Sequence, residues 1–309
     1  MTVKKTNCMA ITVDQLTDFG NLDFMAKQAV EGFITGLHKS PFNGFSVEFA
    51  EHSQYNPGDS TRHIDWKVYG RTDKLYLKNY EDETNLRCQI VIDNSSSMYY
   101  PEDTKAKIKY SCLGAASISY LIQKQRDAVG ILAFGTDINL STPVKSSKLH
   151  LHNIFTQLSQ VIENEQKFEK TALSKTLHQV AHKMGKRGLV IIFSDLLENE
   201  SEWNNIFPAL QHLKHYKHEI VIFNTFHSAL ENDFDFDNKP HVFTDIESGQ
   251  KVKINPIQVK QEYKEKRANM LNDIKLKCAQ YKIDLVDADV TQPIELILQS
   301  YMIKRSKII

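Results

Sequence analysis

The residues best suited to chemistry lie in a run of carboxylate and hydroxyl side chains, Asp-Asn-Ser-Ser-Ser, that starts at position 93 and directly follows an apolar stretch. In the pattern Asp-x-Ser-x-Ser, Asp93, Ser95 and Ser97 alternate along a tight turn and can face one point. Hard oxygen ligands of this kind suit Mg²⁺ or Mn²⁺. Asp195 ends a second apolar run and would add a carboxylate, and Thr171, which opens a predicted helix, could add a third hydroxyl.

The alternative for this run is a purely local role. Serine and aspartate also cluster in turns and at helix caps, where they bond to nearby backbone. Placement directly after a buried strand, with a second strand ending in Ser-Asp, favours the metal interpretation over the local one.

Hydrophobic patterning predicts strands that alternate with helices from residue 86 onward. Such alternation indicates an α/β fold with a doubly wound, mostly parallel sheet and helices on both faces. Ligands of such sheets bind beyond the carboxyl ends of the strands, where the polar residues above would lie. Strands are predicted at 86–92, 128–134, 188–194, 220–225 and 283–286, hairpins through 135–137 and over 241–254, and helices at 104–124, 147–163, 171–184, 200–214, 257–280 and 293–303.

The region before residue 86 has a different character. It carries a predicted helix over 13–37, loops rich in proline and glycine, and short strands over 45–49 and 75–77. We therefore divide the chain into an N-terminal segment, 1–85, and the α/β domain, 86–309.

Two features of the chain resemble known families. The strand followed by Asp-x-Ser-x-Ser-Met, a later hydroxyl residue opening a helix, and the strand ending in Ser-Asp resemble a von Willebrand factor A domain. The region upstream of this strand is similar to the signature of the domain of unknown function 58 family. The similarity to that family covers roughly residues 30–200. That signature reads Gly44-Phe-Ser-Val-Glu-Phe, Tyr55-Asn-Pro-Gly-Asp-Ser-Thr-Arg-His-Ile-Asp-Trp66, Gly70-Arg71, Leu75-Tyr-Leu-Lys and Glu81-Asp-Glu83.

The resemblance implies a metal-ion-dependent adhesion site, at which a partner carboxylate fills the last position of a bound Mg²⁺ or Mn²⁺. The pair before the threonine is commonly Gly-Gly in these sites, but here it is Glu169-Lys170. Ser174 and Thr176 are therefore kept as alternatives to the threonine. The implied ligands are Asp93, Ser95, Ser97, Thr171 and Asp195.

The resemblance further implies a protein-interaction module that is not an enzyme. Similar proteins are often encoded beside MoxR-type AAA+ ATPases, which suggests an adaptor or partner of such an ATPase. Two alternatives stay open: a metal-dependent hydrolase using the same strand-end site, and a metal-free structural scaffold.

The upstream signature also has a structural interpretation. Pro57-Gly58 favours a type II turn. We expect Arg62, Asp65 and Arg71 to form a charge network, with Trp66 as the anchor of this segment.

Other candidate sites are weaker. His178 and His182 lie four residues apart on a predicted helix, a spacing that can hold Zn²⁺, but the sequence offers no third ligand, so a solvated helix face is favoured. Asp233, Asp235 and Asp237 alternate as in a calcium loop but lack its glycine and glutamate, which favours an exposed acidic loop.

Composition narrows the class of protein. The 309 residues are 41% hydrophobic, which is enough material for a folded core. The chain carries no formal net charge, which disfavours nucleic acid as a partner. The four widely spaced cysteines predict buried free thiols in a reducing compartment. The sequence contains neither of the nucleotide-binding motifs sought, the Walker loop and G-x-G-x-x-G. No apolar run reaches the roughly 18–20 residues of a membrane span. We therefore expect a cytoplasmic protein without a nucleotide site.

Overall fold

A computed structural model of the chain describes residues 22–37, 52–54, 66–78, 86–163, 172–185, 187–197, 200–237, 239–244 and 249–306. The helices and strands within these ranges follow one another in this order: α1 (Leu22–Leu37), β1 (His52–Gln54), α2 (Trp66–Thr72), β2 (Tyr76–Lys78), β3 (Arg87–Asp93), α3 (Ala106–Lys124), β4 (Ala128–Phe134), β5 (Ile138–Ser141), α4 (Lys148–Glu163), α5 (Leu173–Met184), β6 (Leu189–Ser194), α6 (Glu200–His215), β7 (Glu219–Phe226), β8 (His241–Thr244), β9 (Lys251–Ile254), α7 (Pro256–Gln280), β10 (Asp284–Asp289) and α8 (Glu295–Ser306).

Six strands form the main sheet in the order β10-β7-β6-β3-β4-β5. Every neighbouring pair is parallel except β4 and β5, which form the predicted antiparallel hairpin. This result confirms the predicted α/β fold. From β3 the chain moves outward to one edge of the sheet and then returns to start β6 on the other side of β3. The winding direction therefore reverses between β3 and β6. Doubly wound sheets bind ligands at such a reversal.

The two faces of the sheet bury separate hydrophobic clusters, as strand alternation requires. In β3, the side chains of Cys88, Ile90 and Ile92 join a cluster with α1, α3, α4 and α8. Val91 points to the opposite face and joins a cluster with α5, α6 and α7. The sheet is therefore covered on both sides, which explains why its strands read as nearly continuous apolar runs.

Helix α1 belongs to the core of the α/β domain although it lies far upstream in sequence. Leu22, Met25, Ala26, Ala29 and Val30, spaced by three and four residues, are buried in the first of these clusters. One compact unit accordingly contains α1 and the chain from Leu86 onward, and a second unit lies within residues 37–85.

The second unit contains a small antiparallel pair, in which Ser53 of β1 lies opposite Leu77 of β2. Neither β1 nor the seven-residue α2 was expected, because such short elements carry too few residues to show periodicity. The expectation that Trp66 is an anchor is wrong: its side chain is 64% exposed on α2 and contacts only the ring of Tyr69 among the aromatic side chains described, edge-on at 6.1 Å. The predicted strand over 45–49, and Arg62 and Asp65 of the predicted charge network, lie outside the described residues.

Three of the cysteines are buried free thiols, as predicted: Cys88, Cys112 and Cys278. Burial raises the pKa of the Cys278 thiol to about 11, so it is protonated and unreactive at neutral pH. Within the ranges given above, no helix combines the length and the apolar character that crossing a membrane requires.

Gly188, just before β6, lies where the neighbouring strand leaves no room for a side chain. A Cβ atom there would lie 2.8 Å from the backbone oxygen of Arg87 and 2.8 Å from Cε of Met184. The Gly188→Ala variant is therefore expected to lose about 1–3 kcal/mol of unfolding free energy, measured by urea denaturation. The matched control is Gly70→Ala, whose Cβ would meet nothing within 4 Å; equal stability of the two variants would contradict the tight approach of β3 and β6.

Candidate metal and interaction site at the strand ends

Two buried carboxylates mark the point where the sheet changes its winding direction. Asp93 is the last residue of β3, and Asp195 follows the last residue of the adjacent β6. Beyond Asp93, the backbone N–H of Asn94 donates to the carbonyl of Phe134 at 2.7 Å, which ties the turn to the end of β4. The sheet topology thus places both predicted carboxylates at one edge.

The turn after β3 gathers the predicted hydroxyl groups around Asp93. The backbone N–H of Ser95 donates to one carboxylate oxygen of Asp93 at 2.9 Å, and the hydroxyl of Ser194 donates to the other at 2.8 Å. The Oγ atoms of Ser95 and Ser97 lie 3.0 Å apart, and Ser97 also hydrogen-bonds to Asp195. The structure therefore brings together Asp93, Ser95, Ser97 and Asp195.

The remaining predicted ligand, Thr171, lies outside the described residues. Its neighbour Ala172 donates its backbone N–H to the carbonyl of Gly135, just beyond β4, at 2.9 Å. Of the two alternatives, Ser174 donates its hydroxyl to the carbonyl of Asn205 at 3.0 Å and so is engaged with α6, and Thr176 is buried in α5.

The donor set fits a hard divalent cation. Asp93, Asp195, Ser95 and Ser97 present only oxygen atoms, which Mg²⁺ and Mn²⁺ prefer. Neighbouring ligands of an octahedral ion with metal–oxygen bonds of about 2.1 Å lie about 3.0 Å apart. The separation of the Ser95 and Ser97 hydroxyl oxygens, 3.0 Å, matches that spacing, although it equally suits a hydrogen bond.

A buried lysine that the sequence did not reveal also occupies this site. Lys107, in the first turn of α3, is 1% exposed, and its ammonium lies 2.9 Å from Oδ2 of Asp195 and 2.6 Å from Oε1 of Glu231. The helical spacing of the sequence does relate Lys107 to the buried face of α3. Its position is followed at helical spacing by Ser111, Gly114 and Ile118, and all four residues are buried. A lysine on that buried stripe requires a buried partner.

Glu231 is the second unexpected member of this network. It lies two residues before Asp233, the first of the three aspartates expected on an exposed acidic loop, yet it is buried in a single π-helical turn, Ser228–Asn232. Its other carboxylate oxygen accepts the backbone N–H of His227 at 3.3 Å and lies 3.4 Å from Nη2 of Arg267. Asp233, Asp235 and Asp237 are exposed, as expected.

The charges of this network set which carboxylate can take up a proton. Burial and then the negative charge of Asp195 raise the pKa of Asp93 to about 7. Burial would also raise the pKa of Asp195, but the adjacent Lys107 ammonium, together with hydrogen bonds from Ser97 and the backbone N–H of Leu197, lowers that pKa. Burial alone would lower the pKa of Lys107, yet Asp195 and Glu231 raise it. Asp195 and Lys107 are therefore a fixed ion pair, and Asp93 is the group that titrates.

This titration predicts how stability depends on pH when metal is absent. Between the usual aspartate pKa of 3.8 and about 7, the folded protein keeps a proton on Asp93 that the unfolded chain has lost. The free energy of unfolding should therefore fall as pH rises through this window, by at most about 1.4 kcal/mol per pH unit. In urea denaturation with a chelator, Asp93→Asn should remove this contribution, and identical pH slopes for both proteins would contradict the assignment.

Comparison with known proteins adds relatives of low identity. An uncharacterized protein of Mycobacterium bovis is 23% identical over 176 residues, which are 57% of this chain and 55% of the relative. An uncharacterized protein of Mycobacterium tuberculosis matches to the same extent. This chain therefore spans about half the length of the curated relatives it matches.

Solved structures are similar only in outline. The conserved hypothetical protein BatB of Bacteroides thetaiotaomicron is 13% identical, with a TM-score of 0.42, over 72% of this chain and 99% of BatB. At such a score the likeness has no bearing on function.

A model of one protein family covers more than half of the chain, residues 51–271, and extends well past residue 200, where the sequence resemblance ended. The chain belongs to this family, described as "Protein of unknown function DUF58".

Proposed function

We propose that this protein is a protein-interaction module, without enzymatic activity, whose strand-end site binds one Mg²⁺ or Mn²⁺ ion and, through it, a carboxylate of a partner protein. The observation that carries this proposal is the meeting of Asp93, Ser95, Ser97 and Asp195 at the edge where β3 and β6 end. Thr171, next to the anchored Ala172, is the fifth ligand in this proposal.

The chemistry of the donors explains why such a site would attract an acidic partner. A bound divalent ion would supply a positive centre that a carboxylate can approach. Ser95 and Ser97 are neutral, so they would not cancel its charge. Ser97 is the only one of the four residues that is partly exposed, whereas Asp93, Ser95 and Asp195 are buried. The surface around Ser97 is therefore where a partner side chain would approach.

The partner in this proposal is a MoxR-type AAA+ ATPase, in the cytoplasm. The support is the family resemblance and the absence of a Walker or G-x-G-x-x-G motif from the chain, which leaves ATP hydrolysis to another protein. An adaptor of this kind would present the strand-end site to the ATPase or to its substrates.

The test is binding of the purified wild-type protein to the MoxR-type ATPase of the same organism, measured by calorimetry in Mg²⁺ and again in EDTA. Asp93→Ala and EDTA should each weaken binding at least about thirtyfold, as loss of one partner of a buried charge pair does. The control is Asp273→Ala, which removes an exposed aspartate of α7. Binding that is indifferent to both changes would refute the metal-dependent proposal.

One observation favours a second candidate, a module that binds its partner without metal. The Lys107 ammonium already lies 2.9 Å from Asp195 and supplies a positive charge to the site. Full partner binding in EDTA that survives in Asp93→Ala would support this candidate. The hydrolase alternative has no comparable observation in its favour, because in the described ranges the carboxylate next to this site, Glu231, is paired with Lys107 and Arg267.

A further inference from the structure

A second group of potential metal ligands lies on the helices of the other face of the sheet. His178 and His182 are four residues apart on α5, and His212 lies on α6. The sequence offered no third ligand for the α5 pair, since His212 is 30 residues from His182. Packing of α5 against α6 brings a third histidine close to this pair: the ring of His212 lies 5.2 Å from that of His178 and 5.1 Å from that of His182.

The distances suit a shared ion. Nδ1 of His178 and Nδ1 of His212 are 3.1 Å apart. Two imidazole nitrogens bound to one Zn²⁺ at about 2.0–2.1 Å in tetrahedral geometry lie about 3.3 Å apart, with ring centres roughly 5 Å apart. The observed contact is also compatible with an N–H···N hydrogen bond, in which a metal ion would take the place of the shared proton.

The surroundings make the cluster accessible. His178 and His212 are half-buried and His182 is exposed. Burial, and then the proximity of His178, His182 and His215, lower the pKa of His212, which keeps its ring neutral at neutral pH. Neutral imidazole is the form that binds metals.

We propose that His178, His182 and His212 form a binding site for a transition-metal ion of the zinc class on the α5–α6 surface, separate from the strand-end site. As the side chains stand in the described part of the chain, no group of three or more histidine, cysteine or carboxylate side chains could hold a metal ion. Formation of the site therefore requires a change of rotamer, which the exposed His182 side chain is free to make. The preference is for Zn²⁺, Ni²⁺ or Co²⁺ over Mg²⁺, because imidazole nitrogen suits the former group.

The test is a calorimetric titration of Zn²⁺ into the metal-stripped full chain, with Mg²⁺ in excess to occupy the strand-end site. We expect one equivalent of Zn²⁺ to bind, and His178→Ala, His182→Ala and His212→Ala each to weaken that binding at least about tenfold. The same titration with Co²⁺ should give the visible absorption of a nitrogen-bound ion. The matched control is His152→Ala, an exposed histidine of α4 on the opposite face of the sheet.

One comparison keeps this test separate from the strand-end proposal. Asp93→Ala should leave Zn²⁺ binding unchanged, so failure of one site does not imply failure of the other. Absence of saturable Zn²⁺ binding, or binding that survives His178→Ala and His212→Ala, would overturn the proposal. A His182→Ala variant that binds like the wild type would overturn the three-histidine site.

Discussion

Replacement of Lys107 by methionine is expected to lower the free energy of unfolding by about 3–5 kcal/mol, the usual cost of removing one partner from a buried ion pair. The methionine fills most of the same space, but Asp195 and Glu231 then face each other across the site without the cation that separates them. Of the charges described there, only Arg267 remains to offset three carboxylates, those of Asp93, Asp195 and Glu231. Urea denaturation in a chelating buffer measures the loss.

The double variant Lys107→Met/Glu231→Gln provides the control for this prediction. Because it also removes one of the two carboxylates that Lys107 pairs with, it should be more stable than Lys107→Met alone. Added Mn²⁺ should stabilise Lys107→Met more than the wild type, since a ligand that binds only the folded state stabilises it more the tighter it binds. A Lys107→Met protein as stable as the wild type would contradict the buried network.

The second large effect concerns metal affinity. The Lys107 ammonium contacts Asp195, so a cation bound to the same carboxylate would lie roughly 4–5 Å from it. At that distance a singly charged ammonium and a doubly charged metal ion repel by roughly 7–8 kcal/mol in an effective dielectric of about 20. Removal of Lys107 should therefore raise Mn²⁺ affinity at least about tenfold, even after relaxation of the site absorbs part of this repulsion.

A matched pair of variants isolates the contribution of Lys107 to metal affinity. Glu231→Gln and Lys107→Met/Glu231→Gln both lack the Glu231 charge and differ only at position 107. Calorimetric titration should show tighter Mn²⁺ binding to the double variant. Equal affinities would mean that the ammonium does not compete with the metal ion, and would remove the main support for a metal-free module.

Much of the fold could be predicted because its strands are buried on both faces. The apolar runs that became β4 and β6 are each bounded by an aspartate on one side and a glycine on the other and so define their own ends, and the long α7 was expected within one residue of its start. The rule that ligands bind at strand ends then selected Asp93 and Asp195, which lie 102 residues apart in sequence but at adjacent strands.

The charge network could not be predicted in the same way. Lys107 and Glu231 are separated by 124 residues, and no local pattern relates them. Glu231 depends on a π-helical turn, and Arg267 lies on α7, whose charged residues are otherwise mostly exposed. The histidines required tertiary packing as well, because His212 joins His178 only through the contact of α5 with α6. Sequence reasoning therefore located the acidic half of the strand-end site but not its cations.

The central claim is that the strand-end residues bind one divalent cation. Calorimetric titration of Mn²⁺ into the metal-stripped wild-type protein and into Asp93→Ala tests it most directly, with circular dichroism to show that both are folded. We predict one saturable site in the wild type and none in the variant. Identical titrations of the two proteins would contradict the claim, as would the absence of binding in both the wild type and Lys107→Met/Glu231→Gln.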